Sequence, residues 1–201
     1  MGETVAILLA AGESRRMGQL KALLPWQEST LFDCQVSSLL QAGIQQVVVV
    51  LGHQRDKLLP LLDERDRVIP VFNPDYRSGK TTSIKAGINA ILGSPQAADA
   101  QTLVLLNVDQ PRTSETISTL ISQHESSGCL ITIPVFQGKG GHPLILDSSL
   151  LPELLEITEA SQGMREVINK HEERILRVEV DTQEVLWDLN TPEQYQAAVT
   201  Q

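Results

Sequence analysis

The sequence predicts an α/β protein whose mostly parallel sheet is covered by helices on both faces, in three layers. Short runs of apolar and β-branched residues alternate with segments whose apolar residues recur at helical spacing. The runs are apolar almost throughout, as is typical of strands that are buried on both faces. The chain has 201 residues, of which 41% are hydrophobic and 20% charged. This length suits one well-buried domain, so we expect a single Rossmann-like domain over residues 1–201.

The alternation is clearest in the first two thirds of the chain. Strands are predicted at 5–10, 46–52, 68–73, 102–108 and 129–136, and helices at 30–44, 55–64, 81–92 and 114–128. The helix at 55–64 is expected to be short and interrupted by Pro60. After residue 143 the pattern is looser and indicates strands at 143–147 and 175–180 and helices at 148–157 and 163–170. A last helix begins after Thr191, an N-cap that Pro192 and Gln194 follow in a capping-box pattern.

Charge and composition exclude several classes of function. The net charge of −9 does not suit a general binder of nucleic acids or anionic membranes. Cys34 and Cys129 form no CxxC pair, so the sequence offers no thiolate metal site. The first apolar run is far shorter than the roughly twenty residues that span a bilayer. We therefore expect a cytoplasmic protein.

Parallel α/β sheets bind ligands at the carboxyl ends of their strands. The chemistry is therefore expected in the loops at 11–25, 52–54, 73–80, 107–112 and 137–143.

The loop after the first strand is the strongest candidate for binding an anion. It combines Gly12 and Gly18 with three cations, Arg15, Arg16 and Lys21. Glycines let backbone N–H groups approach a phosphate closely, while arginine supplies a forked donor and lysine a compact charge. A solvated charged loop is the alternative interpretation.

This loop resembles the nucleotidyltransferases of the molybdopterin guanylyl- and cytidylyltransferase-like family, whose signature is LAAGxSxRMGxxKxLLP. The matching residues are Leu9, Ala10, Ala11, Gly12, Ser14, Arg16, Met17, Gly18, Lys21, Leu23, Leu24 and Pro25. The resemblance extends from residue 4 to about residue 196. It implies that the backbone from Leu9 to Gly12 contacts the base and ribose of a nucleoside triphosphate. It also implies that Arg16 and Lys21 hold the phosphates.

The segment RSGKTTS (77–83) looks superficially like a P-loop. The first glycine of that motif would fall at Pro74, which has no N–H to offer a phosphate. The family resemblance instead implies that Asn73, Gly79 and Ser83 belong to the nucleotide site. Lys80 and Lys85 are interpreted as ordinary residues of a helix start.

Two acidic positions are predicted to bind a metal. Asp109 ends a buried strand, where a carboxylate needs a partner, and Mg²⁺ takes one or two carboxylates together with substrate phosphates. The resemblance implies that Asp109 holds the catalytic Mg²⁺ and that Asp188 assists it. An Asx turn before Pro111 and a helix cap near Thr191 are the alternatives.

The second half of the chain is expected to bind the acceptor. Gly141, His142 and Arg165 resemble the family's acceptor-site elements. Gln110 and the Gly141-His142-Pro143 element favour the cytidylyltransferase branch.

The resemblance therefore implies an enzyme that transfers a nucleoside monophosphate, with CTP as donor, and releases pyrophosphate. Arg16, Lys21 and Asp109 would be its catalytic residues. The acceptor would be a phosphorylated pterin, the molybdenum cofactor, and the recipient of the product would be a molybdoenzyme.

Two other classes of function remain open. One is a transferase for sugar or polyol phosphates. The other is a non-catalytic chaperone for a molybdoenzyme, which Gln162 and Asn190 favour because acids stand there in the family.

Overall fold

A computed structural model describes residues 2–62, 65–95, 97 and 99–200. The strands are β1 (Thr4–Ala10), β2 (Pro25–Trp26), β3 (Ser29–Thr30), β4 (Gln46–Leu51), β5 (Val68–Phe72), β6 (Thr102–Asn107), β7 (Ile131–Phe136), β8 (Lys139–Gly140), β9 (Leu144–Asp147) and β10 (Ile175–Glu179). The helices are α1 (Leu31–Gln41), α2 (Arg55–Leu58), α3 (Lys80–Leu92), α4 (Ser114–Ser127), α5 (Leu151–Leu154), α6 (Met164–Lys170) and α7 (Pro192–Val199).

The main sheet has the strand order β10-β7-β9-β6-β1-β4-β5, and β8 pairs with β7 at its side. The pairs β1–β4, β1–β6, β4–β5 and β7–β10 are parallel, whereas β9 runs antiparallel to both of its neighbours. The predicted α/β fold with a mostly parallel sheet is confirmed. The family resemblance also implies at least one antiparallel strand in the second half of the chain, and β9 is such a strand.

The core explains the continuous apolar runs. Every residue of β1 and β4 is buried, and alternate residues point to opposite faces of the sheet. Ile7 packs with Ile84 and Ile88 of α3, while Leu8 packs with Phe32 of α1 on the other face. Helices therefore cover both faces, which gives the three predicted layers.

The interruption predicted within residues 55–64 is confirmed. The predicted helix there is only one α-helical turn, Arg55–Leu58, followed by a 3-10 turn over Leu59–Leu62. Pro60 explains the break, because its ring provides no N–H for a continuing helix and clashes with the preceding turn. Residues 63 and 64 of this prediction lie outside the described residues.

Two other expected elements are shorter than the apolar pattern indicates. The segment 148–157 forms a 3-10 turn and the short α5. The last strand before the glycine-rich loop, expected from residue 129, begins at Ile131. Among the residues that the structure describes, no helix is both long and apolar enough to cross a membrane.

The order of the strands fixes where a ligand site can form. The chain moves outward from β1 through β4 to β5 and then returns through α3 to β6, on the opposite side of β1. The direction of winding therefore reverses between β1 and β6. Open α/β sheets have their ligand crevice at such a switch point.

Candidate active site

A cleft of about 540 Å³ opens at the carboxyl ends of β1 and β6. Most of the predicted site residues line it: Leu9, Ala10, Ala11, Gly12, Arg16, Lys21, Gly79, Ser83, Asp109, His142 and Asp188. Of the residues predicted to bind the nucleotide, Asn73 does not line it. The cleft thus brings together residues from distant parts of the chain, from Leu9 to Asn190.

The loop after β1 is held in a fixed shape by its own residues. Ser14 adopts a left-handed conformation with φ 54°, and its Oγ accepts a hydrogen bond of 3.0 Å from the backbone N–H of Lys21. Met17 is buried and packs in a small cluster with Leu24 and Trp26. No other atom lies near the position of a Cβ on Gly12, so the backbone there is open to a ligand.

The three cations of this loop have three different environments. Arg15 pairs with Glu13 at 2.6 Å and is largely exposed. Lys21 is only 9% exposed and donates to Asp109 and Asn190, at 2.7 Å in each case. Arg16 lines the cleft and has no ion pair with any residue in the described ranges. Arg16 is therefore available to a ligand, whereas Arg15 is already neutralised.

Asp109 and Asp188 stand on the same cleft wall. The backbone N–H of Leu189 donates to the carbonyl of Asp109 at 2.9 Å, which holds the 187–190 segment against the end of β6. Burial, and after it the negative charge of Asp109, raises the pKa of Asp188. Lys21 and the side chain of Asn190 act in the opposite direction. Lys80, which also lines the cleft, acts in the same direction as Lys21.

This donor set suits a hard divalent cation. Asp109 and Asp188 offer carboxylate oxygens and Asn190 an amide oxygen, which are the ligand types that Mg²⁺ prefers. The described part of the chain contains no cluster of three or more His, Cys, Asp or Glu side chains with metal-binding geometry. A metal here would therefore take its remaining ligands from a bound substrate and water.

A buried asparagine just after β5 orients a side chain that lines the cleft. Asn73 is 3% exposed, and its Nδ2 donates to the hydroxyls of Thr82 and Ser83, at 2.9 Å each. Its Oδ1 accepts from the backbone N–H of Asp75. Asn73 therefore orients Ser83, which does line the cleft.

The N-terminus of α3 does not form a phosphate cradle. The carboxylate of Glu159 accepts a hydrogen bond of 2.8 Å from the backbone N–H of Thr81. Gly79 has φ 123°, and a Cβ there would collide with the Glu159 side chain. A protein carboxylate thus occupies the place that a phosphate takes in a P-loop, in agreement with the rejection of that motif from the sequence.

A second cavity of about 480 Å³ adjoins the first. Gly141, His142 and Arg165, the three residues predicted to bind the acceptor, all line it. Three residues line both cavities: Lys80, Asn107 and His142. The two cavities therefore share a wall.

His142 is neutral at physiological pH. Burial lowers the pKa of its imidazole to about 4, and the charges of Lys80 and Arg112 act in the same direction. A neutral imidazole offers one donor and one acceptor. The backbone N–H of His142 donates to the carbonyl of Val185 at 2.9 Å, and this hydrogen bond fixes the backbone position of His142.

Arg112 is a structural part of the site that the sequence analysis did not single out. It is 3% exposed, and its guanidinium donates to the carbonyls of Pro111, His142, Val185 and Trp187 at 2.7–3.1 Å. Burial lowers its pKa to about 9. One side chain thus ties together the loops that carry Asp109, His142 and Asp188. The position of Arg112 directly after Pro111 was the only sequence feature that could have indicated this role, but an arginine there equally suits an exposed turn.

The fold and the cleft define an α/β protein with a crevice at the switch point of its parallel sheet. A family model described as the MobA-like NTP transferase domain matches residues 6–175. The chain belongs to this family and is a nucleotidyltransferase.

Individual relatives agree with this assignment at low identity. The chain is 27% identical to the molybdenum cofactor cytidylyltransferase of Escherichia coli K12, over 94% of this chain and 92% of that protein. It is 28% identical to the nicotine blue oxidoreductase of Paenarthrobacter nicotinovorans, over 96% and 98% of the two chains.

Solved structures support the fold. The crystal structure of Rv0371c from Mycobacterium tuberculosis H37Rv superposes with a TM-score of 0.84 at 22% identity, covering 100% of this chain and 98% of that one. A structure of the same protein in complex with manganese superposes with a TM-score of 0.78 at 20% identity, covering 100% and 99%.

Proposed function

We propose that the protein transfers CMP from CTP to the terminal phosphate of a pterin acceptor, the molybdenum cofactor, and releases pyrophosphate. The observation that carries this proposal is the shared wall between the two cavities. A triphosphate in the first cavity and a phosphorylated acceptor in the second would meet at Lys80, Asn107 and His142. Transfer between two substrates needs such an adjacency.

The reaction needs no protein nucleophile. An oxygen of the acceptor phosphate attacks the α-phosphorus of the donor, and the bond to the β-phosphate breaks as pyrophosphate leaves with the electron pair. Catalysis of such a transfer is mostly positioning and neutralisation of charge. Arg16 and Lys21 would hold the departing phosphates.

Asp109 and Asp188 would hold Mg²⁺, and the fit of the donor set described above supports this assignment. A bound divalent ion supplies neutralisation of the charge that develops on phosphoryl oxygens. Manganese is the ion named for the complex of the mycobacterial relative. Nucleotide contacts are assigned to the backbone of Leu9, Ala10, Ala11 and Gly12 and to Gly79 and Ser83, and Asn73 would act through Ser83.

The choice of CTP and of the pterin rests on the cytidylyltransferase-like features of the sequence and on the relative from Escherichia coli. Gln110 is part of the cleft floor, since its Oε1 accepts from the Asn107 side chain at 2.8 Å. Gly141 and His142 of the Gly141-His142-Pro143 element line the second cavity. A molybdoenzyme is the expected recipient of the product.

The first test is thermal unfolding of the purified protein with Mg²⁺ and, separately, CTP, GTP, ATP or UTP. A ligand at 100 times its Kd stabilises a protein by about 2.7 kcal/mol, which shifts its melting temperature visibly. A Mg²⁺-dependent shift that is largest with CTP is expected. A larger shift with GTP would move the protein to the guanylyl branch.

The second test adds the acceptor and follows pyrophosphate. Release from CTP in the presence of molybdopterin, and not with sugar or polyol phosphates, is expected. Nucleotide binding without any pyrophosphate release would instead favour the non-catalytic chaperone.

A further inference from the structure

Lys80 is the cation that stands between the two cavities. It is the first residue of α3, its side chain is exposed to the cleft, and it lines both cavities. Sequence analysis interpreted it as an ordinary residue of a helix start. Its position in the structure is more specific than that, because the other two shared residues, Asn107 and His142, carry no positive charge at neutral pH.

The ammonium of Lys80 is not used by the protein itself. It makes no hydrogen bond or ion pair within 4.0 Å of any residue in the described ranges. The neighbouring cations differ, since Lys21 binds Asp109 and Asn190, and Arg112 binds four carbonyls. The ammonium of Lys80 therefore has no hydrogen-bond or ion-pair partner in the described part of the chain.

The charges around Lys80 indicate which kind of ligand it could bind. Desolvation by the surrounding protein atoms lowers the pKa of Lys80, and the charges of Asp109, Asp188 and Glu159 oppose this shift by favouring the ammonium form. The Glu159 carboxylate is already bound to the N-terminus of α3, at the backbone N–H of Thr81. Asp109 is bound to Lys21. An anion that enters between the cavities would meet Lys80, the cation that lines both of them.

We propose that Lys80 is a catalytic residue that binds the attacking phosphate of the acceptor where the two cavities meet. This inference rests on the proposed function. As the phosphate oxygen bonds to the α-phosphorus and pyrophosphate departs, Lys80 remains an ammonium and offsets the negative charge that the two phosphates bring together. It donates no proton, because the acceptor phosphate attacks as an anion.

The assignment separates Lys80 from the donor-binding cations. Arg16 and Lys21 lie on the side of the cleft formed by the β1 loop, whereas Lys80 also faces the cavity of Gly141 and Arg165. Loss of Lys80 should therefore act on the acceptor and leave the binding of CTP unchanged.

The test compares Lys80→Met, Lys80→Arg and the control Lys85→Met, which removes a lysine further along the same helix. Pyrophosphate release is measured with molybdopterin varied at saturating CTP, and CTP binding is measured by thermal shift. Lys80→Met is expected to lower kcat/KM for the acceptor at least about 30-fold, within the range found for one preorganised charge contact. Its CTP shift should match that of the wild type, Lys80→Arg should recover part of the activity, and Lys85→Met should be unaffected.

Different results would overturn different statements. Wild-type protein that releases no pyrophosphate with molybdopterin would remove the proposed function, and this inference with it. An active wild type together with a Lys80→Met variant within about threefold of it would remove the inference alone. An equal loss of CTP binding and turnover in Lys80→Met would also overturn it, because Lys80 would then belong to the donor site.

Discussion

Nζ of Lys21 lies 2.7 Å from Oδ2 of Asp109, and these two residues are separated by 88 positions in the sequence. The same ammonium donates to Oδ1 of Asn190, so the loops after β1 and β6 and the segment before α7 meet on one side chain. The contact joins a residue expected to hold phosphates to one expected to hold a metal. It makes Lys21 and Asp109 parts of one electrostatic unit.

Removing Lys21 should therefore have two effects. Lys21→Ala takes away the proposed phosphate contact and also removes the ion pair of Asp109. We expect turnover at saturating donor to fall at least about 100-fold, as for the loss of a preorganised charge. Pyrophosphate release measures this effect, and near-full turnover would show that the phosphate assignment is wrong.

The neighbouring arginines provide a matched pair. Arg16→Ala should lower activity at least about 100-fold, because Arg16 lines the cleft without an ion pair in the described part of the chain. Arg15→Ala should change activity little, because Arg15 is exposed and is paired with Glu13. Steady-state rates of both variants, with circular dichroism to verify folding, test this prediction. Equal losses in the two variants would indicate a general charge effect of the loop.

Arg112 should contribute mainly to stability. Arg112→Met removes a donor from four carbonyls, of which that of Val185 keeps the backbone N–H of His142. Each buried group left unsatisfied costs about 1–3 kcal/mol. We expect the free energy of unfolding in urea to fall by about 3 kcal/mol or more. The control Arg177→Met removes an exposed pair with Glu172 and should cost about 1 kcal/mol or less. Similar losses in both variants would contradict the structural role of Arg112.

Gly141 should tolerate no side chain. A Cβ at this position would collide with the carbonyl oxygen of Val185, whereas at Gly140 it would meet only Cγ2 of Ile133 at 3.4 Å. Gly141→Ala is expected to displace the loop that carries His142 and to reduce turnover or thermal stability. Gly140→Ala should behave like the wild type, and a fully stable and active Gly141→Ala would disprove the close approach.

The lowered pKa of His142 predicts a dependence of stability on acid. Its folded pKa of about 4 lies below the ordinary value of 6.5, so the unfolded chain binds more protons between these values. The stability from neutral His142 is complete above about pH 6.5 and is lost as the pH falls through this range. His142→Gln should therefore lose less stability between pH 7 and pH 4.5 than the wild type.

Urea unfolding at several pH values measures this difference. Buried His124 also has a lowered pKa and contributes to the same range, so the informative quantity is the difference between wild type and variant. Parallel curves for the two proteins would count against a neutral, buried His142.

The elements with strong periodicity could be predicted from the sequence. The apolar runs of β1 and β4 indicate buried strands because both faces of each strand are covered, and the tertiary structure agrees with the local pattern. In the segment 55–64 the sequence predicts the interruption at Pro60 but not how short the remaining helix is. Its apolar residues fit a helix, but a single proline reduced the helix to one turn.

The site could be predicted in part, since its motif residues lie in the strand-end loops that the fold brings together. The sequence could not predict contacts between residues that lie far apart in the chain. Nothing in the local pattern distinguishes Lys80 from Lys85 on α3, or shows that the guanidinium of Arg112 meets the carbonyls of His142 and Val185. These roles depend on the packing of distant loops, which only the folded chain defines.

The two cavities are built from different parts of the polypeptide. The first takes most of its wall from the loops after β1 and β6, and the second from residues 133–168 together with the start of α3. The proposed recognition of the two substrates would thus be largely modular. Exchanging a stretch such as 161–165 for that of another protein with this fold, with Glu159 kept at the start of α3, should redirect the acceptor while the donor loops stay intact. The scaffold would then be suited to diversification and to transplantation of specificity.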